Sequence, residues 1–284
     1  MVTIKQNNDT ITFDELIEKA IELNSYDHHF KYILIDEYQD ISNQRFILID
    51  KYLKKENGKL MCVGDDWQTI FSFASSNIQK ILNFQKVFYD TKILKILMTY
   101  RNSQELVNIA GNFVMKNKKQ ITKKLNSYKH LDCPVEFIYY KNRADKIEKI
   151  AYELDVLFGK CPSLKVAFLA RYNFDIKELI DNEHFYYENN TLYYKEKKIL
   201  FYTIHTSKGL GFDQVFILNN KSGYYGFPPK RHNASLFKEE KAYYEERRLF
   251  YVALTRTKNK VYLIAPAKGF SIFAKEIKKY LEKK

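Results

Sequence analysis

The sequence predicts an α/β protein built from two parallel-sheet domains. Three observations carry this. Short apolar runs recur along the chain, each compact enough to be a strand buried on both faces. Stretches with helical spacing alternate with them, which is the pattern of strand–helix–strand units. A length of 284 residues is room for about two domains.

The elements are taken in chain order. Residues 13–23, FDELIEKAIEL, put Phe13, Leu16, Ile17, Ala20 and Ile21 on one helical face, with Thr12 or Asp14 as the cap. Residues 32–36 make a short apolar strand. A helix over 44–55 comes next and ends near Gly58, and LMCVG (60–64) is a second strand of the same kind. A helix near 78–84 and a short strand at KILKI (92–96) complete this half, with a domain boundary near residue 92. Beyond it, residues 103–116 and 144–158 read as helices, 135–140 and 165–171 as strands, and FDIKELI (174–180) as a helix. A Tyr- and Lys-rich hairpin over 184–198 is followed by strands at 199–205, 215–218 and 260–265.

Composition narrows the function classes. Apolar residues make up 45% of the chain, enough for a core. No apolar stretch approaches the ~18 residues of a membrane span, and MVTIKQNNDT lacks a signal-peptide core. Cys62, Cys133 and Cys161 form no C-x-x-C pair, which speaks against a disulfide framework or structural zinc and fits a reducing cytoplasm. The net charge of +13 fits a polyanionic partner, nucleic acid above all. A Lys-, Asn- and Tyr-rich composition explains it equally well.

Five segments carry chemistry. In DEYQD, Asp36 and Glu37 stand at the C-terminal end of a strand, where open α/β sheets bind ligands. Asp36 suits a Mg²⁺ ion and Glu37 an attacking water, although a solvated turn has the same composition. GDDWQTIFSF places Gln68 at a second strand end, fit to sense a terminal phosphate. Phe71 and Phe73 come next, either as base-stacking faces or as core. TYRNS offers Tyr100 for stacking and Arg101 for phosphate, with Ser103 opening a helix. TIHTSKG supplies Thr206, Ser207, Lys208 and Gly209, small residues that let backbone approach a phosphate, while His205 reads as structural. EERRLFYVALTRTK sets a helical phase through Glu246, Leu249, Val252 and Ala253, with Arg256 near its end.

Taken together and in this order, DEYQDIS, VGDDWQTIFSF, TYRNS, FLARY, TIHTSKG, YGFP (225–228) and EERRLFYVALTRTK resemble superfamily 1 DNA helicases of the UvrD/Rep class. GDDWQ is similar to the form found in the helicase IV branch. The resemblance spans about Phe13 to Ile264. It implies two RecA-like domains of the P-loop NTPase type, 1–92 being the C-terminal part of the first and 93–284 the second. ATP would lie in the cleft between them, and movement would run 3′ to 5′ on single-stranded or partly duplex DNA, with roles in DNA repair. By motif position, Asp36 would hold Mg²⁺, Glu37 would be the catalytic base, Gln68 the γ-phosphate sensor and Arg256 the arginine finger. Tyr100 would stack on adenine, Arg101, Lys208 and Gly209 would line the nucleotide, and Phe73, Thr206, Ser207 and Arg171 would meet DNA.

Three departures shape the expectation. The family motif K-G-L-E carries a ribose-binding acid where this chain has Gly211, and Ala74 replaces an arginine. More importantly, G-x-x-x-x-G-K-[ST] occurs nowhere; Gly58–Lys59 and Gly159–Lys160 are the only Gly-Lys pairs. One lost oxyanion donor costs ~3–4 kcal/mol in a transition state, so a missing phosphate cradle should abolish hydrolysis. The chain is therefore expected to be a C-terminal helicase portion, inactive alone, with an incomplete first domain, an exposed sheet edge and a separate N-terminal motor segment as partner. Two other readings stay open: an ATP-independent nucleic-acid-binding module, or a subunit docking onto a chain that supplies the phosphate loop.

Overall fold

A computed structural model describes residues 11–23, 30–56, 58–71, 78–230 and 236–282. The chain divides into two compact units, Met1–Thr91 and Lys92–Lys284.

In the first unit, helix α1 (Phe13–Leu23) opens on a capping box. The Glu15 N–H donates to Thr12 Oγ1, and the Thr12 N–H donates to the Glu15 carboxylate. Strand β1 (Tyr32–Ile35), helix α2 (Asn43–Glu56) and strand β2 (Lys59–Cys62) form a parallel pair with its crossover. Tyr32 lies opposite Lys59 and Ile35 opposite Cys62. Short helices α3 (Ile78–Leu82) and α4 (Phe84–Val87) come after them. Residues 32–36 and 60–64 were expected to be buried on both faces. Instead Leu34 is 73% exposed and Met61 58%. A two-stranded sheet has too few neighbours to cover both sides.

In the second unit, residues 92–96 form no strand; Met98 alone bridges Asn126. Isoleucine and leucine at 93, 94 and 96 supply the composition of a strand, but among the described residues no ladder partner lies beside them and all three are exposed. Helix α5 (Gln104–Val114) starts where Ser103 Oγ accepts the Leu106 N–H. Then come β3 (Val135–Tyr140), α6 (Arg143–Lys160, capped by Asn142) and β4 (Val166–Ala170). Residues 174–180, expected as a helix, fold as a 3₁₀ turn over Asn173–Glu178. A segment this short favours the tighter winding.

The hairpin β5 (Phe185–Glu188) and β6 (Thr191–Tyr194) turns at Asn189 and Asn190, both with positive φ. Such a two-residue turn matches strand twist, and asparagine tolerates the left-handed region. Strands β7 (Lys197–Thr203) and β8 (Phe212–Ile217), helix α7 (Leu236–Leu254), strand β9 (Thr257–Pro266) and helix α8 (Ile272–Leu281) complete the unit. The sheet order is β3-β9-β8-β4-β7-β6-β5. The first five strands are parallel, and the hairpin adds antiparallel β6 and β5.

Alternation along the strands explains the core. Phe168, Phe216 and Tyr262 turn toward α6, whose Ile147, Ile150 and Leu154 belong to the same cluster. Phe216 stacks on Tyr262 at 4.4 Å. Ala167, Leu169, Val215, Ile217 and Leu263 are also fully buried and turn the other way. Helices α5, α7 and α8 are clamped by Phe113, Phe250 and Phe273, whose rings lie 5.1–5.5 Å apart. Arg247 crosses this junction, donating to the Phe113 carbonyl and to Glu276 at 2.9 Å each.

Candidate functional site

In the first unit the site residues grow from two strand ends. Asp36 directly follows β1 and is exposed, and its Oδ1 accepts the Glu37 N–H at 2.8 Å. Glu37 has φ 50 and ψ 40, the left-handed region, which costs a non-glycine residue of order 1 kcal/mol or more. Tyr38 and Gln39 pin it there. The Tyr38 N–H donates to the Val63 carbonyl at 2.9 Å, and both residues are buried.

Gln39 joins the two strand ends. Its Nε2 donates to Glu37 Oε2, and its Oε1 accepts the Asp65 N–H at 3.0 Å. Asp65 in turn accepts from Gln68 Nε2 at 2.7 Å and from the Trp67 N–H at 3.1 Å. The result is one relay, Glu37–Gln39–Asp65–Gln68. Gly64 leaves room beside it: a Cβ there would sit 2.7 Å from Gln39 Oε1 and would push that amide aside. Trp67 and Ile70, both buried, anchor the turn. Burial pushes the neighbouring Cys62 thiol up to about 12, so it stays protonated and unreactive. Phe71 is half-buried, and Phe73 lies outside the described residues.

In the second unit the predicted residues separate onto two ends of the sheet. At the N-terminal ends of β8 and β9, two arginines meet Leu210 and Gly211. Arg256 is buried, donates through Nη1 to the Leu210 carbonyl at 3.3 Å and through Nε to the Val252 carbonyl at 3.1 Å. The Arg101 guanidinium lies 3.5–3.9 Å from where a Gly211 Cβ would stand. A longer acidic side chain at 211 would reach that guanidinium and could pair with it. Tyr100 is 80% exposed next to it, and Tyr128, 78% exposed, faces it at 6.4 Å. Three hydrogen bonds hold the segments of the two tyrosines together: Thr99 N–H to Asn126 O, Asn126 N–H to Leu97 O, and Ser127 Oγ to Asn102 O.

At the C-terminal ends of β7 and β4 stand Thr206, Ser207 and Arg171, and Lys208 and Gly209 lie on the turn that leads from there to Gly211. Thr206 is exposed, and its hydroxyl donates to the Thr203 carbonyl at 3.0 Å. Ser207 is buried, and its hydroxyl donates to the Ile204 carbonyl at 2.7 Å, so its side chain shapes the turn from inside. Lys208 is half-buried, and Gly209 takes φ +80, a conformation suited to glycine. Arg171 sits at the tip of β4 and forks onto Glu246 of α7 through three bonds of 2.6–3.2 Å. Burial opposes the Arg171 charge, but the Glu246 carboxylate outweighs it, so the guanidinium holds its proton more firmly than usual.

Gln39, Asp65 and Tyr128 are partners that the sequence pattern did not single out, and Glu246 stood there only as a marker of helical phase. Gln39 and Asp65 lay inside recognised motifs; Tyr128 carried no signal. Apart from these, Glu148, Glu183 and His184 bring ligand-capable atoms within 4.8 Å, and there His184 is paired with Glu148 at 3.1 Å.

The pattern of the UvrD-like helicase C-terminal domain matches residues 4–268, nearly the whole chain. The chain belongs to the UvrD-like helicase C-terminal domain family. DNA helicase IV of Escherichia coli (strain K12) is 31% identical over 280 residues, covering 94% of this chain and 39% of that helicase. The putative ATP-dependent DNA helicase YjcD of Bacillus subtilis (strain 168) is 35% identical over 128 residues, covering 45% of this chain and 17% of its own length. The structure of the C-terminal domain of a possible DNA helicase from Lactobacillus plantarum WCFS1 aligns with TM-score 0.41 and 13% identity, over 64% of this chain and 96% of that one. This UvrD-like chain thus spans well under half the length of the curated relatives it matches. Among the described residues, no helix is long and apolar enough to cross a membrane.

Proposed function

We propose that the chain is the C-terminal portion of an ATP-driven 3′–5′ DNA helicase and carries nucleotide-handling residues in each of its units, for an ATPase that needs a phosphate loop from elsewhere. The observation that carries this is the relay from Glu37 to Gln68. It holds a carboxylate and an amide, both fit to handle one water, in fixed relation at adjacent strand ends. Glu37 accepts a proton from that water and Gln68 orients it. The donor set at Asp36 fits a Mg²⁺ ion, a hard cation that prefers oxygen ligands and supplies charge neutralisation on phosphates when bound. In the second unit, Arg101 and Arg256 offer positive charge to phosphate oxygens, and Tyr100 with Tyr128 offers ring faces to a base. The sequence holds no Gly-Lys-[Ser/Thr] cradle, so these groups have nothing to fix the β- and γ-phosphates.

The expected result is that the purified chain shows no DNA-stimulated ATP hydrolysis with Mg²⁺. A second polypeptide supplying the phosphate-loop segment restores turnover, and Glu37→Gln removes it again. Robust turnover by the chain alone, abolished by Glu37→Gln, sinks the incomplete-site argument. A second reading, ATP-independent DNA binding, is favoured by the net charge of +13 and requires affinity that falls steeply with salt.

A further inference from the structure

A column of stacked groups runs outward from the tip of β4 to the surface of the second unit. At its root the Arg171 guanidinium is fixed by Glu246. Its Cζ lies 4.9 Å over the Tyr172 ring. Tyr172 stacks on Phe174 at 5.0 Å with 7° between the planes. Tyr225 stands perpendicular to both rings, at 5.9 Å and 5.3 Å, and so braces the side of the stack and leaves its end open. Phe174 is 45% exposed.

The location is that of a ligand site. The column leaves the tip of β4, and Tyr225 belongs to the loop after β8; these strands are parallel neighbours. Their carboxyl ends are where open α/β sheets bind ligands. The parts are held firmly. The Tyr172 N–H donates to Asp175 Oδ2 at 3.0 Å, and the loop is anchored by buried Phe227 against Phe250 at 5.0 Å. Phe174 and Lys177 lie three residues apart in the 3₁₀ turn, so both emerge on one face, and Lys177 is exposed.

We propose that the open face of Phe174 is a base-stacking site for single-stranded nucleic acid that acts without ATP, with Lys177 meeting the phosphate of the stacked nucleotide. This rests on the reading that the second unit binds DNA. A flat ring continuing a flat stack accepts any base, and a cation beside it suits a polyanionic backbone. A column locked at its root loses little freedom when a base joins it.

The test is fluorescence anisotropy on the full chain with a labelled oligothymidine of about 16 nucleotides and no ATP. Phe174→Leu keeps apolar bulk and removes the ring; Phe174→Trp keeps a ring. Wild type and Phe174→Trp are expected to bind alike, and Phe174→Leu to bind about 5- to 150-fold more weakly. An abasic oligomer of equal length should not distinguish wild type from Phe174→Leu. Lys177→Gln should lower the slope of log affinity against log salt by about one. If wild type binds and Phe174→Leu stays within about twofold of it, the stacking site is wrong while DNA binding by the chain stands. If wild type binds no oligomer at low salt, both fall. Matching circular dichroism spectra verify that the exposed substitutions leave the fold intact.

Discussion

Replacing Arg171 by methionine removes the guanidinium and keeps much of the side-chain bulk. Glu246 then keeps its charge in a site where its side chain is 7% exposed. Three hydrogen bonds of 2.6–3.2 Å vanish at once. Breaking a buried pair from one side costs about 3–5 kcal/mol, because the remaining charge is uncompensated. Loss of the cation over Tyr172, 4.9 Å away, adds about 1 kcal/mol. Removing both charges in Arg171→Met/Glu246→Leu exchanges the pair for apolar groups, which is close to neutral in comparable sites. The assay is urea unfolding of both single variants, the double variant and wild type. The expectation is a loss of about 4–6 kcal/mol for Arg171→Met, with much of it recovered in the double variant, a coupling above about 2 kcal/mol. A double variant no more stable than Arg171→Met, or a single loss below about 1 kcal/mol, would show that the pair does not root the column.

Two further outcomes rest on local geometry. Burial opposes the charge on Glu105, yet the Leu131 N–H and the His130 ring, each 2.8 Å away, bring its pKa to about 2. A lowered native pKa stabilises the fold above the unfolded value near 4.5, and that contribution is lost as pH falls toward 2. Melting temperatures across this window should fall for wild type more than for Glu105→Gln; parallel curves contradict the assignment. Gly226→Ala would place a Cβ 2.2 Å from the Lys221 carbonyl oxygen and 3.0 Å from the Gly223 nitrogen, both backbone atoms. The loop carrying Tyr225 must shift, at a cost of about 1–3 kcal/mol in thermal or urea unfolding. An unchanged midpoint would show that the loop repacks freely.

Much of this was legible in the residues. Val135–Tyr140 reads as a strand because it is apolar, aromatic and short, and it is one. Ser103 announces the start of α5 through its hydroxyl. Asp36, Glu37 and Gln68 were readable as candidates from their place at two strand ends, and the structure links Glu37 to Gln68 through Gln39 and Asp65. What escaped depends on partners distant in sequence. Residues 92–96 have strand composition but no neighbour to pair with, which local pattern cannot reveal. Helix α8 passed unnoticed behind its run of lysines, although Phe273 and Ile277 are fully buried. Gln39 stood inside a recognised motif, but its part as the bridge to Asp65 needs a contact across 26 positions. Tyr128 is brought to Tyr100 by backbone bonds that leave no trace in composition.

The parallel pair β1–β2 has a consequence for how the chain breathes. Its ladder runs only from Tyr32–Lys59 to Ile35–Cys62, under the largely exposed Leu34 and Met61. Strand β4, by contrast, has all five residues fully buried and pairs on both sides. Amide protons of 32–35 and 59–62 should therefore exchange with deuterated solvent through cheap local openings, while those of 166–170 wait for the second unit to unfold as a whole. A single unfolding free energy does not describe such a chain; it has a soft end and a hard end.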